Sequence, residues 1–243
     1  MDFQQRLIYL ILALPAFIAA FTIHEFAHAY VADRLGDDTA RRAGKLTLDP
    51  FKQLDPIGSL FLVGTILLGL PMIGWASVPV NRNKLRNPRR DDSLVSVAGP
   101  LSNVVQAFVW LALLYMLRFA ANAAHVQYSV QDVLNIVNRH PDITSPWLSL
   151  AAACGIGVTL NLSLAVFNML PIPPFDGGYI MQNIVPELKP LFDTIRPFSF
   201  MIILLLIQAG PILDPIFVPG ARFGAGLVLG AMGHDPNDFS IGG

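Results

Sequence analysis

Long apolar stretches separated by polar connections run through most of the chain. A membrane-spanning helix needs about 20 mostly apolar residues, and residues 7–32, 94–118 and 148–170 meet that requirement. Residues 198–232 have the apolar length for one more span or a broken pair, interrupted by glycine, proline and charged residues. The pattern predicts an all-α polytopic membrane protein, a helical bundle of about four to six spans.

Two other segments are apolar in part but differ from ordinary spans. Residues 57–78 are interrupted by glycine or proline at positions 58, 64, 69, 71 and 74. Residues 126–140 place valine and leucine at helical spacing, with polar residues between them. That spacing predicts an amphipathic helix on the surface rather than a membrane crossing.

The composition supports a membrane protein. Of the 243 residues, 53% are hydrophobic and 14% are charged, whereas a soluble domain carries about 25% charged residues. The 16 basic and 17 acidic residues nearly balance, so the chain has no basic footprint for nucleic acid. We see no repeat and predict a single membrane domain over residues 1–243. Its core covers about residues 7–195, and residues 196–243 add one or more apolar spans and a tail.

The first span contains the sequence His24-Glu25-Phe26-Ala27-His28. On a helix, positions i and i+4 lie on one face, so both imidazoles can bind a single metal ion. Glu25 lies beside them and can take a proton from a water activated by that metal. The alternative is two histidines packed in a helix core beside a chance glutamate. Three ionisable side chains within five residues of a spanning helix favour the functional interpretation.

A third ligand must come from elsewhere, because a catalytic zinc site takes three protein ligands and leaves one position open. Asp176 is a candidate, since it follows the third long span in a segment that contains Pro171 and two further prolines. Proline forbids regular helix there, and Gly177 and Gly178 allow a tight turn that could aim the carboxylate into the membrane. For this segment alone, an aspartate in an ordinary Pro-Gly turn is the simpler interpretation.

Three separated motifs resemble those of the site-2 protease family of intramembrane zinc metalloproteases. They are the His-Glu-x-x-His sequence within a span, the segment Gly99-Pro100-Leu101-Ser102-Asn103 opening the middle span, and the later pattern N-x-x-P-x-P-x-x-D-G from Asn168 to Gly177. The short form of the family, without PDZ or CBS domains, is the most similar. Residues 44–50 and 55–58 are also similar to that form.

This resemblance implies a role for each residue of the proposed centre. Asp176 matches the third ligand of one zinc ion per chain, beside His24 and His28. Glu25 matches the catalytic base. Asn168 matches an asparagine that holds the substrate backbone near the metal.

Other residues of the same motifs match supporting positions of the family. Gly99, Pro100 and Asn103 match its signature in the middle span, and Pro171 and Gly177 belong to the segment that carries the aspartate. By residue type alone, the first three fit equally well a helix start with close helix packing.

A shared metal constrains how the spans cross the membrane. His28 and Asp176 both lie near the C-terminal ends of their spans, so an even number of crossings must separate those ends. Three apolar stretches lie between them, so one of these cannot cross. Residues 57–78 have basic residues on both flanks, which the positive-inside tendency puts in the cytoplasm. We therefore predict that this segment is re-entrant. The membrane-embedded zinc site then faces the cytoplasmic side of a prokaryotic plasma membrane.

The sequence and the resemblance together predict an intramembrane zinc metalloprotease that hydrolyses peptide bonds in or near transmembrane segments of its substrates. An extended backbone edge at residues 45–48, or within 57–78, could hold the unwound substrate. A non-proteolytic membrane zinc-binding scaffold of the same fold is an alternative. A transporter, in which broken helices and intramembrane polar groups also occur, is another. The expected partners are transmembrane protein substrates and the lipid bilayer.

Overall fold

All secondary structure elements in the computed structural model are helical over the part of the chain that it describes. That part comprises residues 2–68, 78–126, 128–137, 145–199, 201–202, 205 and 223–231. The α-helices are α1 (Phe3–Arg34), α2 (Thr39–Arg42), α3 (Pro50–Gln53), α4 (Pro56–Leu68), α5 (Pro88–Ala123), α6 (Val130–Val137), α7 (Pro146–Asn168), α8 (Asp176–Ile184), α9 (Lys189–Ile195) and α10 (223–231). Short 3₁₀ helices occupy Arg82–Lys84, Pro186–Leu188 and Arg196–Phe198.

Three helices are long and apolar enough to cross a membrane, as the sequence predicted for these segments. Helices α1, α5 and α7 have 32, 36 and 23 residues. At about 1.5 Å per residue, each exceeds the roughly 30 Å hydrocarbon core. Helix α1 begins at a capping box, in which the side chains and backbones of Asp2 and Gln5 exchange hydrogen bonds. Helices α5 and α7 begin with Pro88 and Pro146, at a position where a missing N–H is no loss.

The three long helices pack against one another and enclose two apolar clusters. One cluster lies between α5, α6, α7 and α10 and includes the fully buried Leu114, Leu148 and Val158. The other lies between α1, α4 and α7 and includes Phe17 and Leu62. The polar side chains described below lie where α5 meets α1, α7 and α8.

The alternative interpretation of Gly99 and Pro100 as the start of a helix is wrong. Helix α5 begins twelve residues earlier, at Pro88, and Pro100 lies in its interior. Proline inside a helix removes one backbone donor, a loss that membrane helices tolerate when neighbouring groups satisfy the freed carbonyl. The close helix packing predicted for Gly99 is present, and it involves the histidines of α1.

The re-entrant segment predicted at residues 57–78 is described only in part. Helix α4 runs beside α1. At the C-terminal end of α4, the Leu67 carbonyl accepts a hydrogen bond from the Arg6 guanidinium at 3.0 Å. Residues 69–77 lie outside the described residues. Asn81, after this gap, lies near the opposite end of α1. Its N–H donates to the carboxylate of Asp37, just beyond that end, at 2.6 Å. Helix α3, on the other flank, also packs on α1, so α4 runs between flanks that both contact that helix.

The predicted amphipathic helix and the predicted C-terminal span have different outcomes. Helix α6 covers residues 130–137 of the predicted 126–140 and buries Val133, Leu134 and Ile136 against α5 and α7. Most of 198–232 lies outside the described residues, and within it α10 packs into the same apolar cluster. The number of spans after residue 196 therefore stays a prediction.

The proposed backbone edge at residues 45–48 does not form a strand in this structure. These residues form a series of bends. The fully buried Gln53 donates from its amide to the Lys45 and Thr47 carbonyls at 2.7 and 2.8 Å. Those two carbonyls are therefore already occupied by a side chain of this protein. The alternation of apolar residues does not reveal this contact, because Gln53 lies six to eight residues away from the carbonyls that it bonds.

Candidate metal centre

The two histidines of α1 lie side by side and point their Nε2 atoms at each other. His24 and His28 are one helical turn apart, and their Nε2 atoms are 3.0 Å apart. Their rings meet edge to face with centroids separated by 4.6 Å. Both side chains are about nine-tenths buried. The i, i+4 spacing therefore brings the two imidazoles together as the sequence predicted.

Hydrogen bonds from α5 decide which ring nitrogen carries the proton. His24 Nδ1 lies 2.6 Å from Asn103 Oδ1, and His28 Nδ1 lies 2.7 Å from the Val95 carbonyl. Both partners are acceptors, so each neutral imidazole donates from Nδ1. This assignment leaves a lone pair on each Nε2. Two lone pairs that face each other at 3.0 Å require a cation or a proton between them.

Asp176 completes the group, although it is far from the histidines in the sequence. Its Oδ2 lies 3.4 Å from His24 Nε2, and its Oδ1 lies 3.3 Å from His28 Nε2. The Oδ2 atom is buried and has no hydrogen-bond partner among the described residues. These three side chains form a group that could hold a metal ion, with ligand atoms within 4.8 Å of one another.

The separations within this group fit a tetrahedral metal site. Two ligands at about 2.05 Å from a zinc ion with tetrahedral angles are about 3.3 Å apart. The two Nε2 atoms are 3.0 Å apart, and each lies 3.3 to 3.4 Å from a different oxygen of the Asp176 carboxylate. Two imidazoles and one carboxylate are ligands that suit zinc, and cobalt or iron can occupy such a set. The donor atoms of this site therefore match the group that the sequence predicted.

Gly99 leaves the space next to the Nε2 atoms open. A Cβ atom at this position would lie 2.3 Å from His28 Nε2 and 2.6 Å from His24 Nε2. These distances are close to those between a metal and its ligands. Any side chain at residue 99 would therefore compete with a metal ion for the space beside the imidazoles.

The loop between α7 and α8 places Asp176 by close backbone packing. A Cβ at Gly177 would lie 2.3 Å from the Met169 carbonyl oxygen, and one at Gly178 would lie 2.7 Å from the Ile172 carbonyl carbon. Neither glycine has a positive φ angle. The expectation that they permit a tight turn is therefore wrong. They lie in the first turn of α8, and the absence of a side chain lets that helix lie on the preceding loop.

The other predicted residues lie near these elements without forming part of the ligand group. Glu25 is buried beside His24. Asn168 is the last residue of α7 and is half-buried, and Pro171 is exposed in the loop that follows. The roles of Glu25 and Asn168 in catalysis stay predictions.

Sequence reasoning missed one buried side chain of this region. Asn161, in α7, accepts a hydrogen bond from Asn103 Nδ2 at 2.9 Å and donates to the Gly157 carbonyl at 2.9 Å. Asn103 and Asn161 are fully buried. The chain of hydrogen bonds fixes the Asn103 amide so that its oxygen faces His24. An asparagine within a spanning segment was the available signal, since polar groups at that depth are costly unless partnered.

Comparisons with known proteins agree with this geometry. The model of peptidase family M50 matches residues 12–209. A Bacillus subtilis protein provisionally named zinc metalloprotease YwhC is 37% identical over 200 residues, which are 82% of this chain and 79% of that protein. A Mycolicibacterium smegmatis protein provisionally named zinc metalloprotease Rip2 is 29% identical over 198 residues, 81% of this chain and 66% of that protein. A Methanocaldococcus jannaschii protein provisionally named zinc metalloprotease MJ0611 is 27% identical over 172 residues, 71% of this chain and 70% of that protein. No solved structure gives a significant match.

Proposed function

Since the chain belongs to peptidase family M50, we propose that it is an intramembrane zinc metalloprotease that hydrolyses peptide bonds in or near transmembrane segments of membrane proteins. One observation carries this proposal. His24, His28 and Asp176 bring two imidazole nitrogens and a carboxylate within 3.4 Å of one another beside the buried Glu25, on or next to helices that can span a membrane. The family and the three long helices make the chain a membrane metalloprotease. The reaction inside the bilayer and the class of substrate are our proposal.

The residues of the site divide the work of peptide hydrolysis. A bound zinc ion would supply a Lewis acid for the scissile carbonyl and would lower the pKa of water. His24 and His28 are held with Nδ1 protonated and Nε2 free to bind. Glu25 accepts a proton from the attacking water and returns it to the leaving amine. Asn168, at the end of α7, holds the substrate backbone.

The depth of the site supports cleavage within the membrane. His28 lies six residues before the end of α1, and His24 lies ten residues before it. At about 1.5 Å per residue, the imidazoles are about 9 to 15 Å from that end. A helical substrate hides its carbonyls in internal hydrogen bonds. It must therefore unwind locally before its peptide bond reaches Glu25.

A cleavage assay with a matched base variant tests the proposal. The purified protein is incubated with a transmembrane peptide, with and without a chelator, beside the Glu25→Gln variant. We expect cleavage only by the untreated wild type, and about one zinc per chain in both proteins, because Glu25 is the base and not a ligand. Zinc binding without cleavage of any membrane substrate would instead support a zinc-binding scaffold. Loss of zinc in Glu25→Gln would show that its role is assigned wrongly.

We propose that the end of α1 near the metal site faces the cytoplasm of a prokaryotic cell. Exposed basic residues gather there, at Arg42 on α2 and at Arg86, Arg89 and Arg90 around the start of α5. In a Cys154→Ser background, single cysteines at the exposed residues Arg42, Asn87, Ser129 and Glu187 test this side. An impermeant thiol reagent on intact cells should label only residue 129. Labelling at residues 42 and 87 with protection at residue 129 would show that this end of α1 faces the outside of the cell.

A further inference from the structure

Helix α8 cannot place the third ligand by itself. It has nine residues, begins at Asp176, and has no side-chain cap at its N-terminus. Isolated helices shorter than about 12 to 15 residues are marginal. The direction of the Asp176 carboxylate therefore depends on what holds α8 against the rest of the molecule.

A chain of close contacts links α8 to α5. Asp92, on α5, is buried, and its Oδ1 accepts a hydrogen bond from Arg82 Nε at 2.6 Å. The same guanidinium lies over the ring of Tyr179, with Cζ 3.7 Å from the ring centroid. Tyr179 is three residues after Asp176, so both lie on one side of α8. Arg82 thus joins the buried acid of α5 to the helix that carries the ligand.

Two further contacts hold the same side of α8. Arg196 also lies over the ring of Tyr179, with Cζ 4.9 Å from the ring centroid, so two guanidinium groups contact this ring. Asn183, one turn further along α8, donates from Nδ2 to Asp92 Oδ2 at 2.9 Å. Both oxygens of the buried Asp92 carboxylate are therefore occupied by groups that anchor α8. We call Asp92, Arg82, Tyr179 and Arg196 the Arg82 clamp.

The clamp begins on the stripe of α5 that also orients the histidines. Asp92, Val95, Gly99 and Asn103 follow one another at spacings of three, four and four residues, which places them on one face of the helix. Val95 and Asn103 hold the two imidazoles, and Gly99 leaves the space beside them. Asp92 is the member of this stripe that reaches α8.

We propose that Arg82 and Tyr179 are positioning residues for Asp176, so that one face of α5 sets the geometry of all three metal ligands. Arginine suits this place because its planar group can bind a carboxylate and stack on an aromatic ring at once, which lysine cannot do. The inference rests on the proposed metal site and adds the residues that fix its third ligand. It predicts that loss of the clamp changes metal binding even in protein that remains folded.

Metal affinity of purified protein in detergent tests this inference without any cleavage assay. Zinc affinity is measured by competition with a chromophoric chelator, and ligand geometry is followed by the visible absorption of the Co²⁺-loaded protein. Tyr179→Leu removes the ring and should weaken zinc binding about tenfold, at the lower end of the effect of removing a residue that supports a ligand. Its Co²⁺ spectrum should change as well. Tyr179→Phe keeps the ring face and should restore both readouts.

Tyr128→Leu provides a matched control. Arg118 lies over the Tyr128 ring at 5.4 Å, so this variant also removes the ring of an arginine–tyrosine pair, but one that packs in the apolar cluster of α5, α6 and α7. We expect it to lower thermal stability and to leave zinc affinity and the Co²⁺ spectrum unchanged. If Tyr179→Leu likewise lowers only thermal stability and leaves zinc affinity and the Co²⁺ spectrum unchanged, the inference is overturned. The clamp would then stabilise the fold without positioning Asp176.

Two further measurements decide the remaining cases. If Tyr179→Leu does not fold, Arg82→Gln is tested in the same assay. We expect its zinc affinity to fall about tenfold as well. A zinc affinity at the wild-type value would contradict the inference. Where both fold, the double variant should lose no more affinity than either single one, because both act through one contact. Additive losses would contradict a shared clamp. A wild-type protein that binds no metal would refute the proposed function itself, whereas normal wild-type binding with unaffected variants refutes only this inference.

Discussion

The histidine half and the aspartate half of the metal centre are built by different means. His24 and His28 lie on one 32-residue helix, and each makes a single hydrogen bond to α5. Asp176 begins a nine-residue helix that follows a proline-rich loop. Its position depends on glycines that let α8 lie on that loop and on contacts between α8 and α5.

The difference shows which part of the centre is local and which part is assembled. That the two histidines lie on one face, one turn apart, is a property of any α-helix, whatever surrounds it. The distance from the imidazoles to the carboxylate exists only when α1, α5 and α8 are packed together. Variants of the two halves should therefore fail in different ways, and the following predictions run from the largest effect to the smallest.

The largest effect is expected from Asp176→Ala, which removes the ligand of the aspartate half. Two histidines leave the metal one protein ligand short of the usual three, so zinc affinity should fall more than about 100-fold, beyond the effect of removing a group that only supports a ligand. Affinity is measured by chelator competition. Asp49→Ala and Asp193→Ala, at carboxylates outside the ligand group, are the controls and should bind zinc as the wild type does. If Asp176→Ala binds zinc normally, the third ligand is a different residue.

Gly99→Ala should have the next largest effect, and it acts on the space that both halves share. The added methyl would lie 2.3 Å from His28 Nε2, and the rings cannot easily move aside because their Nδ1 atoms are hydrogen-bonded. We expect zinc affinity to fall about 100-fold, at the upper end of the effect of changing a residue next to the ligands. Gly64→Ala is the control, because a Cβ there meets no atom within 4 Å. Equal affinities for the two variants would contradict the placement of Gly99.

Asn103→Leu sharpens the comparison by disturbing the histidine half alone. It removes the acceptor that holds His24 with Nδ1 protonated, so zinc affinity should fall between about 10- and 100-fold. Asn122→Leu, at an exposed position of the same helix, makes the same substitution away from the site and should have no effect. An unchanged affinity in Asn103→Leu would mean that His24 does not need this hydrogen bond.

The smallest effect is expected from Asn161→Leu, which acts one hydrogen bond further away. It leaves the buried amide of Asn103 without its partner, so the free energy of unfolding should fall by about 0.6 to 2 kcal/mol, as for other hydrogen bonds between membrane helices. Zinc affinity should fall less than in Asn103→Leu, because the contact with His24 remains. Thermal unfolding and chelator competition measure the two effects. A larger loss of affinity than in Asn103→Leu would show that Asn161 acts on the metal by another route.

Much of the fold and part of the site could be predicted from the chain itself. Apolar length alone located α1, α5 and α7, because the bilayer sets a minimum length for any crossing helix. The error at Pro100 has a simple cause, since proline begins many helices and the sequence does not show that α5 already started at Pro88. The alternation of apolar residues suggested an extended edge at residues 45–48. It does not show that the Gln53 amide bonds two of their carbonyls.

The sequence by itself determined the pairing of His24 with His28, because a spacing of four residues puts them on one face of a helix. It also made Asp176 a candidate, through its place after the third long span, and a resemblance of motifs then implied that it is the third ligand. Only the tertiary structure decided that this carboxylate comes within 3.4 Å of both imidazoles, that Gly99 lies beside them, and that Asn103 directs the proton of His24. The physical reason is the separation of the interacting residues along the sequence. Helix geometry is set within a few residues, whereas contacts between residues 24, 99, 103 and 176 exist only once distant helices have packed.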